Sequence, residues 1–245
     1  MMMPIMLSAR NKDRKVLNSP LSMKMVKTAN GVIIPSEGYL LELYDVNDIT
    51  IGLIANANFG NLPTQHDDAG ICMSAVALAN IDLILTDQEF HFKQDQGVSY
   101  TGTRLLDLFG KVHDMSITTE EEGTVEYRFY IPELIAADIS NADSGVKRTE
   151  SVLHWNPDSQ YPTKVLVAYI LYNSTSLRDR EMLYRDAVIV DDNGQLDLSG
   201  FLNNQDAKCI ELSIYRINAI EVNTEGKRIA LAFTTVDHHI YAISD

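Results

Sequence analysis

The sequence predicts a mostly β protein built as two β domains, the C-terminal one a sandwich, with an extended N-terminal arm. Three observations carry that prediction. Runs of alternating or continuous apolar residues recur at strand length, turn signals separate those in the C-terminal half at spacings of about 8 to 15 residues, and the polar stretch DISNADSGVKRTE (138–150) divides the chain. The expected organisation is an arm over 1–30, a β-rich domain over 31–138, a linker over 139–150 and the sandwich over 151–245. With 245 residues, 45% of them hydrophobic and 22% charged, the chain has the material for a core and is not a disordered tail.

Residues 1–30 differ in charge from everything after them. Six of the 20 basic residues lie there (Arg10, Lys12, Arg14, Lys15, Lys24 and Lys27) against one of the 34 acids, Asp13, which leaves 14 basic and 33 acidic residues and a net charge of −19 on the remainder. The apolar residues Val16, Leu17, Leu21, Met23, Met25 and Val26 hold no helical stripe and Pro20 interrupts them, so an extended arm fits better than a helix. Arg10, Lys12, Arg14, Lys15, Val16, Leu17, Leu21, Met23, Lys24, Val26 and Lys27 are the expected oligomer contacts, docking on the acidic body of a neighbouring copy. A floppy terminus is the plain alternative.

Ala29-Asn30-Gly31 turns into Val32-Ile33-Ile34-Pro35; Tyr39–Tyr44 and Ile49–Ile54 then read as strands. NANFGNLPTQHDDAG (56–70) is a turn-rich loop. Ile71–Leu85 reads as one helix or two strands, Glu89–Lys93 as a strand, Thr103–Phe109 as a short helix or turn, and Thr124–Ile131 as a strand with Val125, Tyr127, Phe129 and Ile131 on one face. Strands follow at Ser151–Trp155, Lys164–Tyr172, Ala187–Val190, Gln195–Leu198, Cys209–Ile217 and Ile229–Thr234. Asp192-Asn193-Gly194 carries the strongest hairpin signal, because Asn-Gly accepts positive φ at both centres of a tight turn; Glu225-Gly226 is a second such site. The lone Trp155, beside an alternating strand start, is expected between the sheets of the sandwich.

The string His154-Trp155-Asn156-Pro157-Asp158, a short loop and Val165-Leu166-Val167-Ala168-Tyr169-Ile170-Leu171-Tyr172 resemble the Trp-bearing strand, loop and Tyr-bearing strand of fibronectin-III and immunoglobulin-like domains. The resemblance covers 146–245 and implies an immunoglobulin- or fibronectin-III-like sandwich. The disulfide of antibody domains is missing, since only Cys209 falls there. The whole, a short cationic arm before two β domains with an acidic body, resembles virion neck and tail-ring proteins of tailed, crAss-like phages. That likeness implies a structural subunit contacting itself and other virion proteins.

Motifs for chemistry fall short of their requirements. Gln65-His66-Asp67-Asp68 holds a His-Asp pair of the kind metal phosphohydrolases use, without the neighbouring ligand helices, and reads as a solvated loop. His113-Asp114 reads as a surface turn after Gly110. His238 and His239, adjacent in a short strand, point to opposite faces and cannot chelate one metal together. Asp191-Asp192-Asn193-Gly194 with Asp197 misses the spacing of a calcium loop, with Leu202 where its last carboxylate belongs, and reads as a turn carrying surface acid. Ser99, in Gly97–Gly102, lacks the hydrolase elbow, and Thr103 stands where a phosphate loop needs Lys. Cys72 and Cys209 read as buried thiols without nucleophile signatures. Tyr127, Phe129, Trp155, Tyr169, Tyr172, Tyr215 and Phe233 read as sandwich interior or cross-strand pairs. Arg178, Arg180 and Arg185, interleaved with Asp179, Glu181 and Asp186, read as a solvated or subunit-contact loop.

The net charge of −14 argues against a non-specific nucleic-acid surface. The apolar opening Met1–Leu7 precedes its basic cluster, the reverse of a secretory signal, and no later run approaches the about 20 apolar residues of a membrane span. The expectation is therefore a non-enzymatic structural subunit, with no cofactor, no metal, no sequence-specific nucleic acid and no membrane partner. It would be made in the cytoplasm without export and, on the phage resemblance, reside in the virion, with a cytoplasmic protein as the alternative. A carbohydrate- or cell-surface-binding module using the loops at 156–162 or 173–185 is the alternative function.

Overall fold

The structure, a computed structural model, describes residues 27–35, 50–56, 69–74, 81–86, 88–93, 97–101, 105–119, 123–140, 145–176, 178–224 and 227–244. In chain order its strands are β1 Lys27–Ala29, β2 Val32–Ile34, β3 Thr50–Asn56, β4 Ala69–Ser74, β5 Ile81–Leu85, β6 Gln88–Lys93, β7 Gly97–Thr101, β8 Lys111–Thr119, β9 Gly123–Ile131, β10 Ala137–Ile139, β11 Val146–Lys147, β12 Val152–Trp155, β13 Lys164–Tyr172, β14 Met182–Asp191, β15 Gln195–Asp197, β16 Cys209–Thr224 and β17 Lys227–Ser244. The only helix among the described residues is a 3-10 turn at Leu105–Leu108, so no described helix is long and apolar enough to cross a membrane. The protein is mostly β. The ambiguous run at 71–85 resolves into parts of β4 and β5, while the strand expected at Tyr39–Tyr44 lies outside the described residues.

One sheet runs β1-β2-β9-β8-β5-β6-β7, a second β10-β12-β15, and a third β14-β13-β16-β17-β3-β4, with β11 added parallel to β17. The second sheet faces the β14-β13-β16-β17 part of the third and forms a β-sandwich. Strand alternation builds its core: Ile139, Leu153 and Trp155 from one side meet Val165, Val167, Tyr169, Leu171, Ile210, Leu212 and Ile214 from the other. Trp155 is 5% exposed, as its position beside the alternating strand predicts. Counting the strands from β10 and leaving out β11, the first, second and fifth make one sheet, and the fourth, third, sixth and seventh the other, so the chain crosses between sheets repeatedly.

The β16–β17 hairpin is the backbone of the molecule. Pairing runs without interruption from Cys209↔Ala242 to Thr224↔Lys227, about 50 Å of ladder at about 3.3 Å per residue. Its near half belongs to the sandwich; its far half pairs β3 in parallel, Ala230↔Thr50 to Val236↔Asn56. There the far half also meets the first sheet. Phe233 packs on Phe129 with ring centroids 4.9 Å apart, and the Asn218 amide donates to the carbonyls of Ile33 and Tyr130 at 3.1 and 2.6 Å. Strands β3 and β4, from the range read as the first domain, thus share a sheet with β17. Of the range read as a linker, Ile139 ends β10, Val146–Lys147 pairs β17, and 141–144 lie outside the described residues.

Turn chemistry corrects one expectation. Asn30 and Gly31 have φ of 52° and 75°, the left-handed pair of a two-residue hairpin joining β1 to β2. Asp192-Asn193-Gly194 makes no hairpin: β14 pairs β13, β15 pairs β12, and the segment carries the chain from one sheet to the other. Only Gly194 has positive φ there, 86°, and a side chain at that position would meet Trp155 O and Pro157 Cγ at 3.0 Å.

Candidate functional site

Two polar clusters stand on the β16–β17 hairpin, one inward and one outward. Inward-facing Ile210, Leu212 and Ile214 are followed at the same parity by Arg216, whose side chain is 3% exposed. Its guanidinium grips Asp192 with Nε to Oδ2 at 2.8 Å and Nη2 to Oδ1 at 3.0 Å, and Nη2 also donates to the Asn156 carbonyl. Trp155 Nε1 donates to Asp192 Oδ1 at 2.8 Å, and the Asp158 N–H to Oδ2 at 3.2 Å. Asp158 in turn accepts from the Tyr130 hydroxyl at 2.7 Å and from the N–H groups of Glu133, Gln160 and Tyr161. Burial, then the Asp158 carboxylate, push the Tyr130 hydroxyl well above its ordinary pKa. This network joins both sheets of the sandwich to the first sheet and is structural, because its charges meet charge-assisted partners throughout. Asp192, expected as surface acid, is buried because it answers Arg216 and Trp155.

Beside it, Asp237 is fully buried between the end of β3 and the start of the β11 pairing. It accepts from the N–H of Ala137 and lies 3.0 Å from His239 Nε2. Burial pushes the Asp237 carboxyl up, but the His239 and backbone hydrogen bonds outweigh it and hold the group below its usual range. The same hydrogen bond raises His239 above its ordinary value, against the effect of burial.

The outward cluster lies on the opposite face of the same strands. The register sets Ser213 opposite His238 and Glu211 two positions along. Ser213 Oγ is 2.8 Å from His238 Nδ1, and His238 Nε2 is 3.8 Å from Glu211 Oε1. Glu211 Oε2 accepts from the Tyr172 hydroxyl at 2.9 Å and lies 3.3 Å from Arg180 Nη2. The Arg180 guanidinium stacks over the Tyr172 ring at 4.2 Å, yet its Nη1 is buried without a hydrogen-bond partner. Burial lowers the His238 pKa, opposed by Glu211, and keeps the ring neutral near pH 7. Burial and the Glu211 hydrogen bond push the Tyr172 hydroxyl up to about 12.

Ser213, His238 and Glu211 have the composition of a nucleophile, base and orienting acid. β16 is paired on both sides at Ser213, with Ala168 and with His238, so its N–H groups serve the ladders and supply no backbone oxyanion donor. The arrangement is suited to hydrogen-bonded contact, with one donor still to be satisfied.

The expected site residues are scattered. Arg10, Lys12, Arg14, Lys15, Val16, Leu17, Leu21, Met23, Lys24 and Val26 lie outside the described residues, as do His66, Asp67 and Asp68, while Lys27 opens β1. His113 is not on a surface turn: it sits inside β8, 7% exposed, with Nε2 2.7 Å from the Leu108 carbonyl. His238 and His239 do face opposite sides, though in an 18-residue strand and not a short one. Among the aromatics, Phe129, Trp155, Tyr169 and Phe233 are buried, whereas Tyr172 and Tyr215 stand half-buried on the outward face. Arg180 is drawn onto Tyr172 and Glu211 and is half-buried, while Arg178 is exposed. Among the described residues no group of three His, Cys, Asp or Glu side chains has the geometry for a metal ion. Arg216 was missed, although parity from Ile210 marks it as an inward charge needing a buried partner. Comparison of the chain with known protein families, curated proteins and solved structures finds no match.

Proposed function

We propose that this chain is a non-enzymatic structural subunit that assembles with copies of itself into a symmetric oligomer, in the manner of a neck or tail-ring component of a phage virion. The observation that carries the reading is β14. It is ten residues long, pairs β13 on one side and no described strand on the other, and leaves Met182 and Tyr184 56% and 46% exposed. A long, half-exposed edge strand invites pairing by another chain. The sequence supplies an occupant: residues 1–26, ahead of β1, carry five basic residues against Asp13, a net of +4, with apolar Val16, Leu17, Leu21, Met23 and Val26, opposite a remainder of net −18. Arm-to-body attraction would offset the repulsion between acidic copies and weaken with salt. The strand order of the sandwich supports its immunoglobulin- or fibronectin-III-like reading, and the virion assignment rests on the overall resemblance.

Charge reversal of the arm in the full chain, Arg10→Glu with Lys12→Glu, Arg14→Glu and Lys15→Glu, tests the reading by light scattering at low and high salt. The wild type should form a larger species than the variant at low salt, with the gap narrowing as salt rises. Identical masses at every concentration and salt would remove the arm from assembly.

A further inference from the structure

The register of β14 shows which of its backbone groups face the open edge. The Asp192 N–H donates to the Thr163 carbonyl at 3.3 Å, one step beyond the Lys164↔Asp191 pair. Bonded pairs alternate along an antiparallel ladder, so Tyr184, Asp186, Val188 and Val190 spend their N–H and C=O groups on β13, while Arg185, Ala187 and Ile189 turn theirs outward. Ala187 agrees with this phase: its N–H goes to no strand but to Oδ1 of Asp186, at 2.9 Å. Asp186 Oδ2 accepts from the Tyr184 hydroxyl, also at 2.9 Å. The Asp186 carboxylate is half-buried and meets these donors but no cation among the described residues, whereas Asp191 on the same strand has Lys164 and Glu211 has Arg180. Arg185, next in sequence, is on the other face. Alternation puts Asp186 on the side of Val188 and Val190, which pack on the sandwich core, and Arg185 on the side of Ala187 and Ile189.

We propose that Asp186 selects the strand added at the β14 edge, by taking a basic side chain from the arm of a second copy of this chain. The inference rests on the assembly reading above and names the residue that recognises the arm. In an antiparallel addition the residue facing Asp186 falls in a non-bonded pair, where side chains are closest, with Cα atoms about 4.5 Å apart. A Lys or Arg at that position pairs with the carboxylate and draws it off the Ala187 N–H, which then joins the new ladder beside the outward groups of Arg185 and Ile189. A neutral or acidic strand would cover the carboxylate without answering its charge, which is costly. In a chain with 34 acids against 20 basic residues, the arm is the segment with the required charge. Arg10, Lys12 and Arg14 alternate, so in an added strand all three stand on one side, with Asp13 the only acid near them.

Full-length Asp186→Asn is the first test, since it removes the charge and keeps an acceptor for the Ala187 N–H and the Tyr184 hydroxyl. Sedimentation velocity at low salt should show its self-association constant weakened about tenfold or more, equivalent to about 1.4 kcal/mol. The sign separates this role from a plainer one. A carboxylate that only guards an edge against pairing would, once neutralised, leave association tighter, and so would relief of repulsion in a chain of net −14. Association of Asp186→Asn tighter than the wild type, or within about twofold of it, overturns the inference and leaves assembly standing. Asp114→Asn, on β8 and 91% exposed, makes the same change in net charge and should not weaken association; equal weakening by it overturns the inference. Ala187→Pro removes the edge N–H and no bond of the β13 ladder, so it should weaken association at least as much as Asp186→Asn, with circular dichroism confirming the fold. Wild-type association by the folded Ala187→Pro chain overturns the seat on β14. A wild-type chain monomeric at every concentration overturns the assembly reading and this contact together.

Discussion

Replacing Arg216 by Met removes the guanidinium and keeps most of the buried stem. Asp192 would keep the Trp155 and Asp158 donors, at 2.8 and 3.2 Å, but lose both bonds of the bidentate ion pair in a site where the two side chains are 3% and 2% exposed. The carbonyl of Asn156 loses a donor as well. Breaking a buried pair from one side costs about 3–5 kcal/mol, because the remaining charge stays desolvated. At about 2–4 °C per kcal/mol for a chain of this size, the melting temperature should fall by roughly 6–20 °C. Urea unfolding followed by fluorescence is the assay, and Trp155, the single tryptophan, sits inside the network being cut. Arg216→Lys should cost less, since it keeps a charge near Asp192. A loss below about 1 kcal/mol for Arg216→Met would refute the claim that this pair holds the sandwich together.

Three further outcomes are expected. Gly194→Ala should destabilise by about 1–3 kcal/mol, since it combines a left-handed φ of 86° with Cβ contacts at 3.0 Å to Trp155 O and Pro157 Cγ; thermal melts check this, and an unchanged midpoint would mean the turn relaxes freely. Trp155→Ala should cost about 3–5 kcal/mol in urea, from cavity formation and the lost bond to Asp192. For His239, a folded pKa raised above 6.5 by Asp237 means that its stabilisation is complete below pH 6.5 and is lost as pH rises through the folded value. His238, lowered by burial, acts in the opposite sense, so the comparison of interest is wild type with His239→Gln between about pH 6 and 8. The variant should lose the His239 part of the slope; identical slopes would show that the pair does not titrate with folding.

The strands were legible where alternation is clean. β13 reads as a nearly continuous apolar run because it is central, buried on its core face by Val165, Val167, Tyr169 and Leu171 and on the other by Leu166. The hairpin of β16 and β17 was read short, as Cys209–Ile217 and Ile229–Thr234 against Cys209–Thr224 and Lys227–Ser244, because polar residues break its inward pattern. Arg216, Asn218 and Asp237 are buried there only because distant segments supply their partners: Asp192, the carbonyls of Ile33 and Tyr130, and the N–H of Ala137. Such partners have no local signature. Asp192-Asn193-Gly194 carries hairpin chemistry yet serves a crossing, since the same Asp192 is required by Arg216 across the core. The outward cluster was within reach of the sequence. The Glu225-Gly226 hairpin signal in the sequence implies Thr224 opposite Lys227, which is the register found, and counting back from that pair places Ser213 opposite His238. The engagement of Arg180 by Tyr172 and Glu211 was not, because Glu211 lies on β16, 31 positions along the chain, and no local pattern marks the pair.

The most direct test of the assembly claim is the native mass of the full chain by mass photometry across concentration, with electron microscopy of the same sample. The account predicts one dominant species at an integer multiple of 27.4 kDa, appearing as a closed particle with rotational symmetry. A single 27.4 kDa species at every concentration, with no closed particle on the grid, would contradict it.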